Sequence, residues 1–386
     1  MTAEAEDGVP GTLLRETPLH GLHLRLGARM VPFAGFAMPL QYPTGIVREH
    51  LHTRAAASLF DVSHMGQLQI RPVSGGVAAA ARALEAAMPA DVVALAPGRQ
   101  RYAVLTGDDG GIVDDLMVAR HGDDLTAVVN ASRQDVDAAR LRALLAPACA
   151  VDLLPGRALV AVQGPAAEAA LAALAPEVGA MRFMDVRAVD LFGTPCLVSR
   201  SGYTGEDGFE IAVPAPLAEP LWEALLKNPA VAPAGLGARD SLRLEAGLCL
   251  YGADLDDTTT PVEAALEWAI PAVRRAGGAR AGGFPGAARI LAQLQDGATR
   301  RRAGLRPHGR APVRAGAPLF RREDDEAPVG VVSSGGFGVS LDAPVAMGYV
   351  PADAAAPGTR LFAGVRDRRL AVTIAALPFV PARYKR

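Results

Sequence analysis

Between Gly76 and Leu145 the chain runs helix, three strands, helix, and this order constrains its fold more tightly than any other feature. GVAAAARALEAAM (76–88) is helix-forming and stops at Pro89, which lacks an N–H and cannot continue a helix. RYAVLT (101–106) carries the Tyr, Val and Thr content of a strand and runs into GDDGG (107–111), a strong turn signal. IVDDLMVARH and DLTAVVNA follow as two more strands, split by Gly122-Asp123. Ser132 is suited to cap a helix from Arg133, with Leu141, Leu144 and Leu145 on one face. The order predicts an α+β unit with an antiparallel sheet.

A second α+β stretch spans about 151–250. ALVAVQG reads as a buried strand, and Pro165 at the first helical position opens the helix PAAEAALAAL. CLVSRSGYTGEDGFEIAVP reads as two strands joined by a loop rich in glycine and acid. RRAGGARAGGFPGAAR (274–289) looks like a linker and marks a domain boundary. Beyond it, PVGVVSSGGFG, VAMGYV and LAVTIAALPFV give short strands with Gly/Pro turns, a small all-β barrel or sandwich.

Composition narrows the function classes. A net charge of −2 favours neither nucleic acid nor an anionic membrane. No run approaches the ~18 apolar residues of a membrane span. The acidic start MTAEAEDGVPGTLLRET lacks the basic and apolar regions of a signal peptide, so residues 1–16 read as a disordered lead-in and the protein as cytoplasmic. Three cysteines, Cys149, Cys196 and Cys249, form neither a C-x-x-C nor an even framework. Cys249 lies in an apolar run that raises rather than activates a thiol.

The phosphate-loop, nucleophile-elbow and zinc-protease motifs are absent. Gly235-Leu236-Gly237 lacks the third glycine of a dinucleotide fingerprint and reads as a tight turn into a helix. His20-x-x-His23 and His50-x-His52 have no third ligand at matching spacing, so solvated or capping histidines are expected and no metal. Three clusters remain. In GGIVDDLMV, neighbouring Asp114 and Asp115 point to opposite faces of a strand. An inward carboxylate needs a partner and often carries function, whereas a strand-end acid in solvent is the plain alternative. In SRSGYTGEDGFEI (199–211), Tyr203, Glu206, Asp207 and Glu210 sit among glycines, as in a ligand loop or a solvated hairpin. Alternation sets Glu210 opposite Phe209 and Ile211, toward a cavity. In GLGARDSLRLEAG (235–247), Arg239 and Arg243 stand at i and i+4 beside Asp240 and Glu245, a pattern of an intrahelical charge network or of a ligand-orienting guanidinium.

Taken together, TPLHGLHLRLGARMVPFAGFAMPLQY (17–42), FDVSHMGQ (60–67), GGIVDDLMV (110–118), SGYTGEDGFEI (201–211), GLGARDSLRLEAGLCLYGADLDDTTTPVEAALEW (235–268) and FVPARY (379–384) resemble the glycine cleavage system aminomethyltransferases. Phe36 stands where that family usually has tryptophan, and 274–325 matches only loosely. The resemblance implies an α+β, three-domain cloverleaf around a central folate channel with a C-terminal barrel-like domain. It implies boundaries at 17–59 plus 148–272 for a discontinuous first domain, 60–147 for the second and 273–386 for the β-rich third. By the same resemblance Asp115, with Asp114 as alternate, is the catalytic carboxylate. Glu210, Tyr203 and Asn130 contact the pterin, Met65 forms part of the wall, and Arg239, Tyr384 and Tyr102 contact ligand.

The implied reaction takes an aminomethyl group from the dihydrolipoyl arm of a lipoylated H-protein, releases ammonia and forms methylene-tetrahydrofolate. Tetrahydrofolate is then the co-substrate and lipoate is carried by the partner. The other components of that system are a pyridoxal-phosphate decarboxylase and a dihydrolipoyl dehydrogenase. A carboxylate beside a carbon that gains positive charge stabilises the transition state electrostatically. Two rival readings carry different signatures. A folate-dependent demethylase of a small methylated substrate shares related domains, but the flavin-bearing members need a larger chain. A folate-binding iron–sulfur assembly protein carries K-G-C-Y-x-G-Q-E, where this chain has Arg200-Ser201-Gly202-Tyr203-Thr204-Gly205-Glu206.

Overall fold

The computed structural model describes residues 13–386, in which the strands form three open sheets and one closed barrel. Most of the expected lead-in lies outside the described residues. Its end does not fit that expectation: Arg15–Glu16 is a strand, paired in parallel with Phe36 and Ala37 in a three-stranded sheet.

The five-stranded sheet has the order Arg99–Thr106, Ile112–His121, Asp124–Val129, Gly66–Pro72 and Cys149–Leu153. Every pairing in it is antiparallel. Helices Gly76–Glu85 and Gln134–Leu145 cover one face, burying Leu84 and Leu141 against Leu68, Ile70 and Val118. Two expectations need correction. The helix starts at Gln134 after a 3-10 turn at Ala131–Arg133, which puts Arg133 rather than Ser132 at the N-cap position. A boundary at 147 cuts off Cys149–Leu153, which returns to pair with Gly66–Pro72, because a helix end in sequence does not reveal a returning edge strand.

The six-stranded sheet runs Val186–Leu191, Thr194–Ser199, Gly208–Pro214, Arg157–Gln163, Ala57–Asp61 and Val231–Pro233. Ala57–Asp61 belongs wholly to it, so the expected boundary at 59 falls inside a strand. Its core gathers Val160, Leu171, Phe209 and Trp222, all fully buried. Pro165 lies in the turn ahead of helix Ala167–Ala172 rather than at its first position.

The stretch 274–289 is no loose linker. Buried Arg274 donates to the Glu85 carbonyl at 2.6 Å, and Arg280 donates to Glu85 Oε2 at 2.9 Å and Asp91 Oδ1 at 2.5 Å. Glycines bend this segment while the ion pairs fasten it to the helix Gly76–Glu85. After helix Ala287–Asp296, six strands close the C-terminal barrel in the order Arg300–Pro307, Ala343–Pro351, Gly330–Gly338, Pro318–Phe320, Arg360–Val365 and Arg368–Ala375.

Helix Leu236–Glu245 lies between these units. A Cβ on Gly235 would come 2.4 Å from the Leu40 carbonyl oxygen, and one on Gly237 would come 2.4 Å from Ile46 Cδ1. The two glycines therefore serve close packing at a helix start. The expected histidine environments are also corrected. His23 is fully buried, 2.9 Å from Asp61 Oδ2 and 2.8 Å from the Tyr42 hydroxyl. His50 is equally buried between Ser241, Ser340 and Glu245. Each imidazole is partnered by polar groups, which offsets the cost of burying it.

Candidate functional site

A cavity of 690 Å³ opens where the six-stranded sheet, the five-stranded sheet, the helix Leu236–Glu245 and the barrel meet. That volume is in the range of small-molecule sites. Met65, Tyr102, Asp115, Asn130, Tyr203 and Glu210 line it, and so do Arg239 and Tyr384.

The turn after Arg99–Thr106 sets the depth of the acidic wall. A Cβ on Gly111 would lie 1.6 Å from the Asp257 carbonyl oxygen, so only glycine lets the backbone pass there. Three residues later the strand alternation separates the aspartates. Asp115 faces the cavity, whereas Asp114 is fully buried behind the strand. Asn130, at the end of the neighbouring strand, connects them. Its side-chain amide donates to Asp114 Oδ1 and to Asp115 Oδ1, each at 2.8 Å, and its backbone N–H donates to Asp114 Oδ2 at 3.1 Å. Tyr102 donates its hydroxyl to Asp115 Oδ2 at 2.9 Å. Burial, followed by the charge of Asp114, pushes Asp115 up to about 7 against the pull of these bonds. A carboxylic acid poised there changes charge near neutral pH.

The opposite wall comes from the 199–211 hairpin. Glu210 lines the cavity and accepts a hydrogen bond from Ser201 Oγ at 2.6 Å. Tyr203 donates to the Cys249 carbonyl, and the Arg239 guanidinium lies 4.6 Å from its ring centroid, a cation–π arrangement. The rest of the acidic loop is neither solvated nor ligand-facing. Glu206 is buried and paired with Arg54 at 3.0 Å, and Asp207 pairs with buried Arg200. Arg243 also lines the cavity, but its guanidinium is committed to structural partners. It holds Asp240 at 2.9 Å, Asp254 at 2.6 Å and Ser334 Oγ at 2.9 Å, tying its helix to the barrel.

Aromatic pairs close the ends. Tyr102 stacks on Trp268 with centroids 5.1 Å apart, and Phe183 stacks on Tyr384 at 4.0 Å and 2° between planes. Sequence reasoning missed Trp268, His64 and Arg302 as lining residues. Trp268 and His64 sit inside the recognised motifs, but nothing in their spacing marks them as ligand-facing. Arg302 lies in the loosely matching stretch. Burial, reinforced by Arg239, pushes His64 down to about 4, so its ring is neutral at physiological pH. Cys249 also lines the cavity, but burial pushes its thiol up to about 12 and leaves it inert. Among the described residues, no group of three or more His, Cys, Asp or Glu side chains is placed to hold a metal ion. None of their helices is long and apolar enough to cross a membrane.

A cavity among several units, with a titratable carboxylate held against aromatic walls, fits an enzyme site for a small organic substrate. The family relationship gives the chemistry. Residues 19–273 match the GCVT N-terminal domain, and residues 300–381 match the glycine cleavage T-protein C-terminal barrel domain. The chain belongs to the glycine cleavage T-protein family, whose members use tetrahydrofolate.

Among its relatives, a mitochondrial aminomethyltransferase of Gallus gallus is 45% identical, covering 96% of this chain and 94% of its own. Those of Homo sapiens and Dictyostelium discoideum are 43% and 41% identical, over 96% and 97% of this chain and 91% and 94% of theirs. The crystal structure of the glycine cleavage system aminomethyltransferase T from Bartonella henselae superposes with a TM-score of 0.89 at 43% identity, covering 97% of this chain and 100% of that one. The chain is an aminomethyltransferase, a transferase of glycine cleavage with the mixed α/β and closed-barrel fold of that structure. One expectation fails against these findings. The lack of a signal-peptide pattern and of a membrane span implies a cytoplasmic protein by default, yet these relatives are named mitochondrial.

Proposed function

We propose that Asp115 is the catalytic carboxylate of tetrahydrofolate-dependent aminomethyl transfer, with the aminomethyl group arriving on the dihydrolipoyl arm of a lipoylated H-protein. The observation that carries this reading is the placement of one titratable carboxylate on the cavity wall, fixed by Tyr102 and Asn130. Bound tetrahydrofolate supplies the nitrogen nucleophile that accepts the carbon. The chain's own residues bind, orient and stabilise. Glu210 offers carboxylate oxygens to the N–H edge of an amino-pyrimidinone ring, a charge-assisted pairing of the kind that fixes orientation. Tyr203, held by Arg239 and the Cys249 carbonyl, gives a rigid aromatic face beside it. Asn130 is a pterin contact as well as the clamp on Asp115, Met65 forms apolar wall, and Tyr384 closes one end. Ionised Asp115 stabilises the positive charge that develops on the transferred carbon. The carbon–sulfur bond breaks, and ammonia, methylene-tetrahydrofolate and the free dihydrolipoyl arm are the products. The decarboxylase and the dihydrolipoyl dehydrogenase of the system act on the H-protein before and after this step.

The folate site is tested by titrating tetrahydrofolate and following tryptophan fluorescence. Of the two tryptophans, Trp222 is buried in the six-stranded sheet's core and Trp268 lines the cavity, so the change reports the site. Saturable binding is expected, weakened about 10-fold or more in Glu210→Gln, since hydrogen bonds to a charged group contribute about 1.5–3 kcal/mol. Binding that is absent, or unaffected by the substitution, contradicts the assignment.

A further inference from the structure

Asp137 is fully buried in the first turn of the helix Gln134–Leu145, yet it caps nothing, and neither of its oxygens receives a hydrogen bond from an N–H or O–H donor among the described residues. An aspartate in a first helical turn is ordinary when it faces solvent and complements the helix dipole. A buried one without donors needs another account. Its neighbour is a second carboxyl, that of Asp114, near enough for the two to share a proton. Two carboxyls can bond only by sharing a proton, and in a buried site both cannot ionise together. Arg133 and Arg140 lie near Asp137 and favour its charge, while they donate hydrogen bonds to the Val113 and Thr106 carbonyls. The other groups in reach are Asp115, from the Asp114 side, and Tyr251, whose ring lies under the Arg133 guanidinium at 5.2 Å with Asp257 beyond it. Among the described residues Asp114 forms no ion pair, and it accepts hydrogen bonds from the backbone and side-chain N–H groups of Asn130, whose side chain also donates to Asp115.

We propose that Asp137 is a positioning residue: facing Asp114 from the helix, it keeps one proton on the Asp114 carboxyl and so leaves Asp115 the single negative charge on that strand. The proton sits on Asp114 and the charge on Asp137, near the two arginines. Burial and the Asp137 charge hold Asp114 well above the ordinary carboxylate range. This matters to the reaction because the charge of Asp114 is the second cause of the rise at Asp115. A neutral Asp114 lets Asp115 ionise at lower pH and act as the electrostatic partner of the transferred carbon. The proposal rests on the reading of Asp115 as the catalytic carboxylate, and its test separates the two.

The pH profile of kcat/KM reads the arrangement. In the wild type the acid limb follows Asp115. In Asp137→Asn the proton leaves Asp114, its charge appears beside Asp115, and the limb moves up by about one pH unit. In the double variant Asp114→Asn/Asp137→Asn, position 114 is neutral again and the limb returns toward the wild-type position. A limb that stays put in Asp137→Asn, or that stays shifted in the double variant, overturns the proposal; a structural role alone would lower activity without moving the limb. Infrared difference spectra of wild type against Asp114→Asn give a readout that needs no catalysis. Above the pH of the limb the wild type must keep the carbonyl band of a protonated carboxylic acid that the variant lacks, and its absence overturns the proposal even where Asp137→Asn does not fold. If the band is present but Asp115→Asn remains fully active, the acid pair stands and the catalytic reading of Asp115 falls.

Discussion

Asp115 combines an exposed face toward the cavity with two hydrogen-bond donors and a titration near 7. Replacing it by Asn keeps the shape and removes the charge, so kcat falls on the order of 10²–10³, the usual loss for one preorganised electrostatic group. Steady-state rates across pH should show the wild type gaining activity as Asp115 ionises, no higher than about 7 with Asp114 neutral, and the variant nearly flat. The same titration predicts a stability effect of opposite sense. The folded state binds this proton more tightly than the unfolded chain, so stability is greatest below the unfolded carboxylate's range and falls as pH rises through about 7. Thermal melts should therefore show Asp115→Asn gaining stability over wild type at pH 8 and little or nothing at pH 4. Tyr384→Ala removes a stacked pair contributing about 0.5–1.5 kcal/mol and raises the KM for tetrahydrofolate roughly 3- to 10-fold with a smaller change in kcat. Strand alternation made it legible that one aspartate of the pair turns inward, and it set Glu210 toward a cavity. It could not choose between Asp114 and Asp115, because both faces of that strand are buried: one lies against a helix and the other against the cavity. Asp137 was illegible for a related reason. QDVDAAR reads as a solvated first turn until the packing of that helix is known.

At the scale of elements, the helix Leu236–Glu245 joins the sheets to the barrel through Arg243. Asp254→Ala leaves that buried guanidinium without its closest carboxylate and should cost about 3–5 kcal/mol in chemical denaturation, the range for breaking a buried ion pair by removing one partner. A cost near zero would mean that Asp240 alone compensates Arg243. Elements were well read where local chemistry decides them. Helix Gly76–Glu85 stops before Pro89, the turn at 107–111 joins two strands, and Gly235-Leu236-Gly237 opens a helix. They were misread where tertiary contacts decide. The glycines of 274–289 look like a linker, but Arg274 and Arg280 fix the segment to Glu85, 189 and 195 residues away in sequence. The edge strand Cys149–Leu153 is set by pairing with Gly66–Pro72, and no local signal assigns it to one sheet over another. The buried histidines follow the same pattern, since Asp61 and Glu245 come from distant segments.

For the whole molecule, function depends on several units meeting at one cavity, each supplying a part no other can. The five-stranded sheet brings Asp115, the six-stranded sheet brings Glu210, the helix brings Arg239, and the barrel closes the cavity with Arg302. Periodicity yields the separate α+β and β-rich stretches, but it does not bring them together; the motif resemblance supplied that. The most direct measurement incubates the protein with tetrahydrofolate and aminomethyl-loaded, lipoylated H-protein and follows ammonia and methylene-tetrahydrofolate in wild type and Asp115→Asn. Equal amounts of both products from the wild type, with the rate lowered on the order of 10²–10³ in the variant, is the predicted result. Tetrahydrofolate binding without ammonia release, or an Asp115→Asn variant as fast as wild type, would contradict the account.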